Sequence, residues 1–344
     1  MKSILVFTIS FLVAYLSIPV LRILAFRYRI LDLPGGRKVH KIATPLLGGV
    51  ALYIGFIASL FLNTESVFTF LPLLIGATSI LVLGLINDIV ELSARKRILW
   101  QFLIALVVIA LGVRVTFMPK CWCKDILEIA ITAVWLVGVT NAYNYLDGLD
   151  GLAAGSAAIS LLCFSVILYT TGQYPLGLLA ISLIAVCAAF LPHNFKKKKM
   201  FLGEAGSTFL GFILASIGII GNWAQDNVVK LSIPILVLGV PIFDMVFTTI
   251  MRISEGKVKN IIGWLRYAGK DHFHHYLVDL GFRPRGSVIF IYFVTLSLGV
   301  SAIMVSNDNA IEGFISITQA SIMLGVIATL MVVGKRHRRS GGQY

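Results

Sequence analysis

The sequence predicts an all-α, polytopic membrane helical bundle of about 11 transmembrane helices, with the N-terminus outside and the C-terminus cytoplasmic. Three observations predict it. Of 344 residues, 58% are hydrophobic and only 13% charged, with a mean hydropathy of +0.91, whereas soluble domains run near 45–50% apolar and about 25% charged. Eleven apolar segments stand between charged or Gly/Pro/Asn-rich breaks. Lys and Arg fall very unequally on alternate breaks. The first observation alone excludes a soluble enzyme, a disordered chain and a disulfide scaffold.

A span needs about 20 apolar residues to cross roughly 30 Å of hydrocarbon. In chain order the segments are 3–24, 46–63, 68–87, 98–117, 126–143, 152–171, 174–192, 206–222, 231–250, 287–305 and 312–333. The first runs on to Arg22 without a small-residue cleavage site, so it reads as a span and not as a signal peptide. With the N-terminus outside, 24 of the 29 Lys and Arg residues face the cytoplasm. The other five are Lys2, Arg114, Lys120, Lys124 and Lys230. The net charge of +13 is therefore a topology signal, and no nucleic-acid partner is expected. The basic tail from Lys335 to Arg339 is expected to rest on anionic membrane lipids. Residues 1–344 read as a single integral membrane domain with a long cytoplasmic loop at 252–286, long enough for a lid or a short helical arm. Cys163 and Cys187 lie in apolar runs as packed thiols, and Cys121 and Cys123 flank Trp122 in one short loop, so no cysteine role is expected.

Five polar clusters fall on the predicted cytoplasmic face. They are Arg37–Lys41 with Gly48-Gly49; Asn87–Glu91 with Arg95–Arg97; Asn141–Gly151; His193–Ser207; and Asp271–His275. Basic residues at span ends anchor by snorkelling, and Lys196–Lys199 read equally well as anchors or as phosphate partners. Carboxylates do not help anchoring and are costly at a membrane boundary. Asp88, Asp147, Asp150 and Glu204 nevertheless sit where four different spans end. Hard oxygens gathered in this way suit Mg²⁺ together with substrate phosphates. The i, i+3 spacing of Asp147 and Asp150 puts both on one face of a helical turn, and Gly206-Ser207 opens a span whose N–H groups favour phosphate. His272, His274 and His275 lack a nearby fourth ligand for zinc, so substrate phosphate or sugar hydroxyls are their expected partners.

At these clusters the sequence resembles the polyprenyl-phosphate N-acetylhexosamine-1-phosphate transferases, integral membrane enzymes of cell-envelope glycan synthesis. NAYNYLDGLDGLAAG at 141–155 resembles the family's N-A-x-N-x-x-D-G-x-D-G-L block. MFLGEAGSTFLGF at 200–212, preceded by HNF at 193–195, resembles its N-F…F-x-G-D-x-G-S block. VPIFDMVF at 240–247, RKVHKIATPLLGG at 37–49 and DHFHHYLVDLGF at 271–282 resemble further signatures in the same order. The resemblance implies transfer of N-acetylhexosamine-1-phosphate, GlcNAc-1-phosphate above all, from a UDP-sugar to undecaprenyl phosphate at the inner (plasma) membrane, releasing UMP. It implies Mg²⁺, with Mn²⁺ as an alternative ion, and leaves a homodimer open.

Carried over by position, the resemblance makes Asp88 a base or metal-site group, with Asn144, Asp147 and Asp150 lining the nucleotide and metal site. Glu204 takes the metal-binding position. Lys41 and Asn194 stand near the nucleotide, Arg97 near the phosphates, and His272, His274 and His275 against the diphosphate-sugar. Two positions depart from the family pattern: Asn87 replaces the first of two paired aspartates, and Glu204 replaces an aspartate. Restoring Asp at position 87 is expected to raise or preserve activity. A catalytically weak or inactive homologue that binds UDP-sugar or polyprenyl phosphate is the competing reading. A transporter is more remote, because it predicts ionisable groups at mid-membrane in broken, repeated helices.

Overall fold

Small residues decide where the helices meet. In a bilayer, apolar helices gain little by hiding from lipid, and close backbone packing through Gly, Ala and Ser drives association instead. α9 (Gly203–Ile220) opens GEAGSTFLG, and nearly every one of its residues is buried. Against it lie α2 (Gly48–Leu60), α4 (Leu71–Val90), α6 (Lys124–Leu146) and α7 (Leu152–Thr170). A Cβ at Gly211 would sit 2.9 Å from Thr140 Cα of α6, so only glycine permits that approach. The Trp135 indole of α6 donates to the Ala215 carbonyl at 3.0 Å and fixes the register of the same pair.

The computed structural model describes residues 1–33, 43–62, 64–117, 122–195, 200–259, 263, 267, 269, 271–306 and 310–341. The remaining helices are α1 (Lys2–Arg27), α3 (Thr64–Thr69), α5 (Ala94–Ala110), α8 (Tyr174–Phe195), α10 (Asn227–Val237), α11 (Gly239–Ser254), α12 (Phe273–Asp279), α13 (Pro284–Val305) and α14 (Ala310–Gly341). Two short strands, β1 (Leu31–Asp32) and β2 (Thr44–Pro45), pair antiparallel between α1 and α2. α12 lies within the long polar stretch at 252–286 and packs on α11, α13 and α14. Over Ala310–Gly334 α14 is apolar and very little of it is buried, as in a lipid-facing helix.

Among the described residues, eight helices are long and apolar enough to cross a membrane, and nine if α10 and α11 form one span. Those two meet at 76°. Pro234 and Pro241 flank the break at Leu238, and each lacks the N–H that would continue the ladder. α2 and α5 stand where two more spans were expected, but they have only 13 and 17 residues. At about 1.5 Å per residue they reach roughly 20 and 26 Å, short of the roughly 30 Å hydrocarbon layer. α5 stops early because Gly112 takes φ +103°. The N–H of Gly112 then bonds Ile109 O and that of Val113 bonds Val108 O, a Schellman ending.

Candidate active site

The first turn of α9 is the centre of the site. Its N–H groups lack intrahelical acceptors and need other partners. Asp88, in the last turn of α4, supplies them. Its Oδ1 accepts from Glu204 N at 2.9 Å and its Oδ2 from Ala205 N at 3.1 Å. Gly203 takes φ +73°, and a Cβ there would lie 2.6 Å from Asp88 Oδ2. α2 starts beside this turn because the carbonyls of Phe201 and Leu202 accept from Gly48 N and Gly49 N, at 3.1 and 2.8 Å. The helix therefore begins at Gly203, ahead of the expected Gly206-Ser207. The anion on its first N–H groups is the Asp88 carboxylate, where a phosphate was expected.

Glu204 is held from two sides. Its Oε2 accepts from Asn87 Nδ2 at 2.7 Å and pairs with Arg97, which reaches over from the first turn of α5. The Leu92 N–H donates to Asn87 Oδ1 at 2.7 Å, which turns the amide so that its NH₂ faces Glu204. Ser207 Oγ lies 2.9 Å from Asn144 Oδ1 and ties the last turn of α6 to the same end of α9.

Asp147 and Asp150 lie in the turn between α6 and α7, so their spacing is set by that turn and not by a helix. Gly151, at φ +80°, ends the turn. Its N–H donates to Asn194 Oδ1 at 2.5 Å, while Asn194 Nδ2 donates to Met200 O at 2.9 Å. Asn194 thus clamps two loops together from the last turn of α8. The Asp147 side chain opens on a cleft but has protein around it at longer range. That burial, with the carboxylates of Asp88 and Asp150 nearby, raises its carboxyl to about 7.

The three histidines separate in role. His272 is buried, its Nδ1 3.1 Å from Asp244 Oδ2, and its ring stacks on Tyr145 at 5.0 Å. Asp244 is fully buried and also accepts from Phe273 N at 2.6 Å. Beside it, Arg252 holds Asp271 through two hydrogen bonds of 2.9 and 2.8 Å. Burial acts to raise the Asp271 carboxyl, but the Arg252 hydrogen bonds and charge prevail and hold it below the ordinary range. His274 is 1% exposed and packs against Gly148 of the acidic turn. Neither of its ring nitrogens has a partner among the described residues. Burial and the adjacent His275 push it down to about 3, so it is neutral.

One cleft of about 750 Å³ collects these groups. Asp88, Asn144, Asp147, Asp150, Asn194, Glu204 and His275 all line it. Arg97 reaches it through Glu204, while His272 and His274 stand behind the lining. Lys41 lies outside the described residues, as do Lys196–Lys199. Asn87 and Glu91 of the second polar cluster also line the cleft, and sequence reasoning missed Asp32 and Arg285, which do so too. Arg285 stands in the first turn of α13 after Pro284, where a helix start was legible but its direction was not.

The sequence pattern of glycosyl transferase family 4 matches residues 70–222, which include α4, the acidic turn and α9. Over 314 residues the chain is 32% identical to the "Probable undecaprenyl-phosphate N-acetylglucosaminyl 1-phosphate transferase" of Bacillus subtilis (strain 168), covering 89% of this chain and 86% of that protein. The chain belongs to glycosyl transferase family 4. It is also 31% identical to the "Decaprenyl-phosphate N-acetylglucosaminephosphotransferase" of Mycobacterium leprae (strain TN), over 82% of this chain and 78% of that one. To the "Phospho-N-acetylmuramoyl-pentapeptide-transferase" of Geobacillus sp. (strain WCH70) it is 30% identical, over 69% of this chain and 76% of that one. Within the family 4 stretch, Asn87 and Glu204, the two departures noted in the sequence, are in direct contact with each other.

Proposed function

We infer that the chain transfers N-acetylglucosamine-1-phosphate from UDP-N-acetylglucosamine to a polyprenyl phosphate such as undecaprenyl phosphate, releasing UMP. The observation that carries this reading is the cleft. Six carboxylates, three amides, His275 and Arg285 line one pocket at one end of an apolar bundle, with Arg97 paired to Glu204 beside it. A lipid phosphate enters such a pocket from the bilayer and a nucleotide from water. The chain's 31–32% identity to two proteins named for GlcNAc-phosphate transfer favours that sugar. The excess of Lys and Arg on one set of loops supports a cytoplasmic position for this end, and α2 and α5 would bring the spans to eleven if they complete their crossings beside longer neighbours.

In the reaction, an acceptor phosphate oxygen bonds to the sugar-bearing phosphorus, and the bond from that phosphorus to the bridging oxygen of UMP breaks. A dianionic acceptor phosphate has no proton to lose, so the step needs no base. This fits Asp88, whose two oxygens already hold the start of α9. The task of the protein is then to bring two anions together and orient them in line. Arg97 and Arg285 offset charge on the phosphates, and the acidic turn with Asn144 borders the nucleotide.

Mg²⁺ fits the donor set, which is all hard oxygen. Among the described residues, no group of three His, Cys, Asp or Glu side chains is placed to hold a metal. Mg²⁺ characteristically binds through one or two carboxylates plus substrate phosphates. Glu204, with Asp88 beside it, would hold the ion, and bound there it would shield the charge between the two phosphates.

The test is UMP release by purified protein in detergent with UDP-N-acetylglucosamine, undecaprenyl phosphate and Mg²⁺. Release that needs both lipid and metal is expected. Nucleotide binding without release would favour the inactive homologue.

A further inference from the structure

Arg97 meets Glu204 by one corner only. Its NH1 pairs with Glu204 Oε2, the same oxygen that accepts from Asn87 Nδ2 at 2.7 Å. Its Nε is buried and has no partner among the described residues. A guanidinium forms its strongest contacts as a two-pronged fork on carboxylate or phosphate, and this one is half used. Both side chains are largely enclosed, 21% and 12% exposed, so the pair is only weakly screened. Glu204 lines the cleft, while Arg97, in the first turn of α5, meets it through Glu204.

We propose that Arg97 is an exchangeable counter-ion, paired with Glu204 in the free protein and transferred to the substrate diphosphate when a divalent cation takes Glu204. This rests on the transferase reading of the same cleft. Every charge is then matched in both states: Glu204 with Arg97 before binding, and Glu204 with the cation and Arg97 with diphosphate after it. The unpaired Nε gives the guanidinium a free prong for a phosphate oxygen. A cation arriving alone must displace Arg97 and leave it unmatched in a partly buried place. Cation and diphosphate therefore favour each other's binding, and the coupling is reciprocal. Asn87 is compatible with this device because an amide stays on Glu204 without adding a second negative charge for Arg97 to serve.

The experiment is an Mn²⁺ titration followed by electron paramagnetic resonance on full-length protein in detergent, with and without saturating UDP. It compares wild type with Arg97→Gln, Arg97→Lys and Lys96→Gln, and compares Glu204→Gln with the Arg97→Gln/Glu204→Gln double variant. Thermal unfolding of each variant verifies folding. Without nucleotide, Arg97→Gln is expected to bind Mn²⁺ about tenfold more tightly than wild type, with Arg97→Lys close to wild type. Lys96→Gln, an exposed charge on the neighbouring residue, should change it by less than about twofold, a through-space effect only. UDP should improve Mn²⁺ binding by a smaller factor in Arg97→Gln than in wild type. Adding Arg97→Gln to Glu204→Gln should bring no tightening. Equal or weaker Mn²⁺ binding by Arg97→Gln overturns the exchange, and so does equal tightening by Lys96→Gln. UMP release separates the two readings: a wild type that binds Mn²⁺ as described but never releases UMP loses the transferase reading alone. One that releases UMP while Arg97→Gln fails to tighten loses the exchange alone.

Discussion

The backbone N–H of Glu204 donates to Asp88 Oδ1 at 2.9 Å, so a side chain of α4 caps the helix that carries Glu204. The second oxygen of the same carboxylate caps Ala205. Asp88→Asn keeps one acceptor and turns an NH₂ toward the other N–H. We expect a stability loss of about 1–2 kcal/mol, as for a lost helix cap, and a fall in UMP release of at least about tenfold from misplacing Glu204. Thermal unfolding alongside the rate checks both. An unchanged melting temperature would remove the capping role.

The buried Arg252–Asp271 pair anchors the segment that carries the histidines to α11. Arg252→Met leaves Asp271 charged and unmatched at 3–4% exposure, and should cost about 3–5 kcal/mol. Arg252→Met with Asp271→Leu should recover most of that loss, because no lone charge remains. Additive losses in unfolding of the double variant would contradict the pairing.

His274 is neutral in the folded protein down to about pH 3, whereas the unfolded chain takes up its proton near 6.5. Below about 6.5 the unfolded state binds more protons, so this contribution to stability is complete above that pH and is lost as the pH falls toward 3. Asp147, raised to about 7, works in the opposite direction over the same range. The comparison is therefore between wild type and His274→Gln at the same two pH values. The variant should lose less melting temperature between about pH 7.5 and 5, and an equal loss would assign the acid sensitivity elsewhere.

Much of the site was legible because carboxylates at the ends of apolar spans have no anchoring use, and Asp88, Asp147, Asp150 and Glu204 stood out on that ground alone. Their partners were not legible. Asp244 and His272 lie 28 residues apart, and nothing in either segment states that one buries its charge against the other. Hydropathy also overstated α2, because the apolar run continues through Phe61 and Leu62 after the helix has ended. Chain pattern reports which residues prefer lipid, and backbone geometry decides how far a helix runs.

Gly48-Gly49 stood out in the sequence, and the structure gives the second glycine a packing reason. A Cβ at Gly49 would overlap the Gly206 backbone N and Cα, pushing α2 off the start of α9. Gly49→Ala should cost about 1–3 kcal/mol, as overpacking does, and lower UMP release. Gly325→Ala on α14, where nothing lies within 4 Å, should leave both unchanged. Equal behaviour of the two variants would show that the α2–α9 contact carries no strain.

Asn87 and Glu204 depart from the family pattern together, and their 2.7 Å contact gives the reason. An amide donates to the longer carboxylate, and the Leu92 N–H fixes which end of the amide does so. Asp at 87 would set one carboxylate against another, with Arg97 alone to hold both. The contact argues for the opposite outcome to the sequence-based expectation, with the rate to decide between them: Asn87→Asp should lower UMP release by about tenfold or more, through repulsion and loss of the donor. Glu204→Asp should also lower it, since the shorter acid withdraws from Asn87 and Arg97. Together the two substitutions restore the family's residues at both positions, and the double variant should return to within about threefold of wild type. Rates for the four proteins form a double-mutant cycle, with an expected coupling of about 1–2 kcal/mol. Simple addition of the two losses would mean that Asn87 and Glu204 act independently despite their contact.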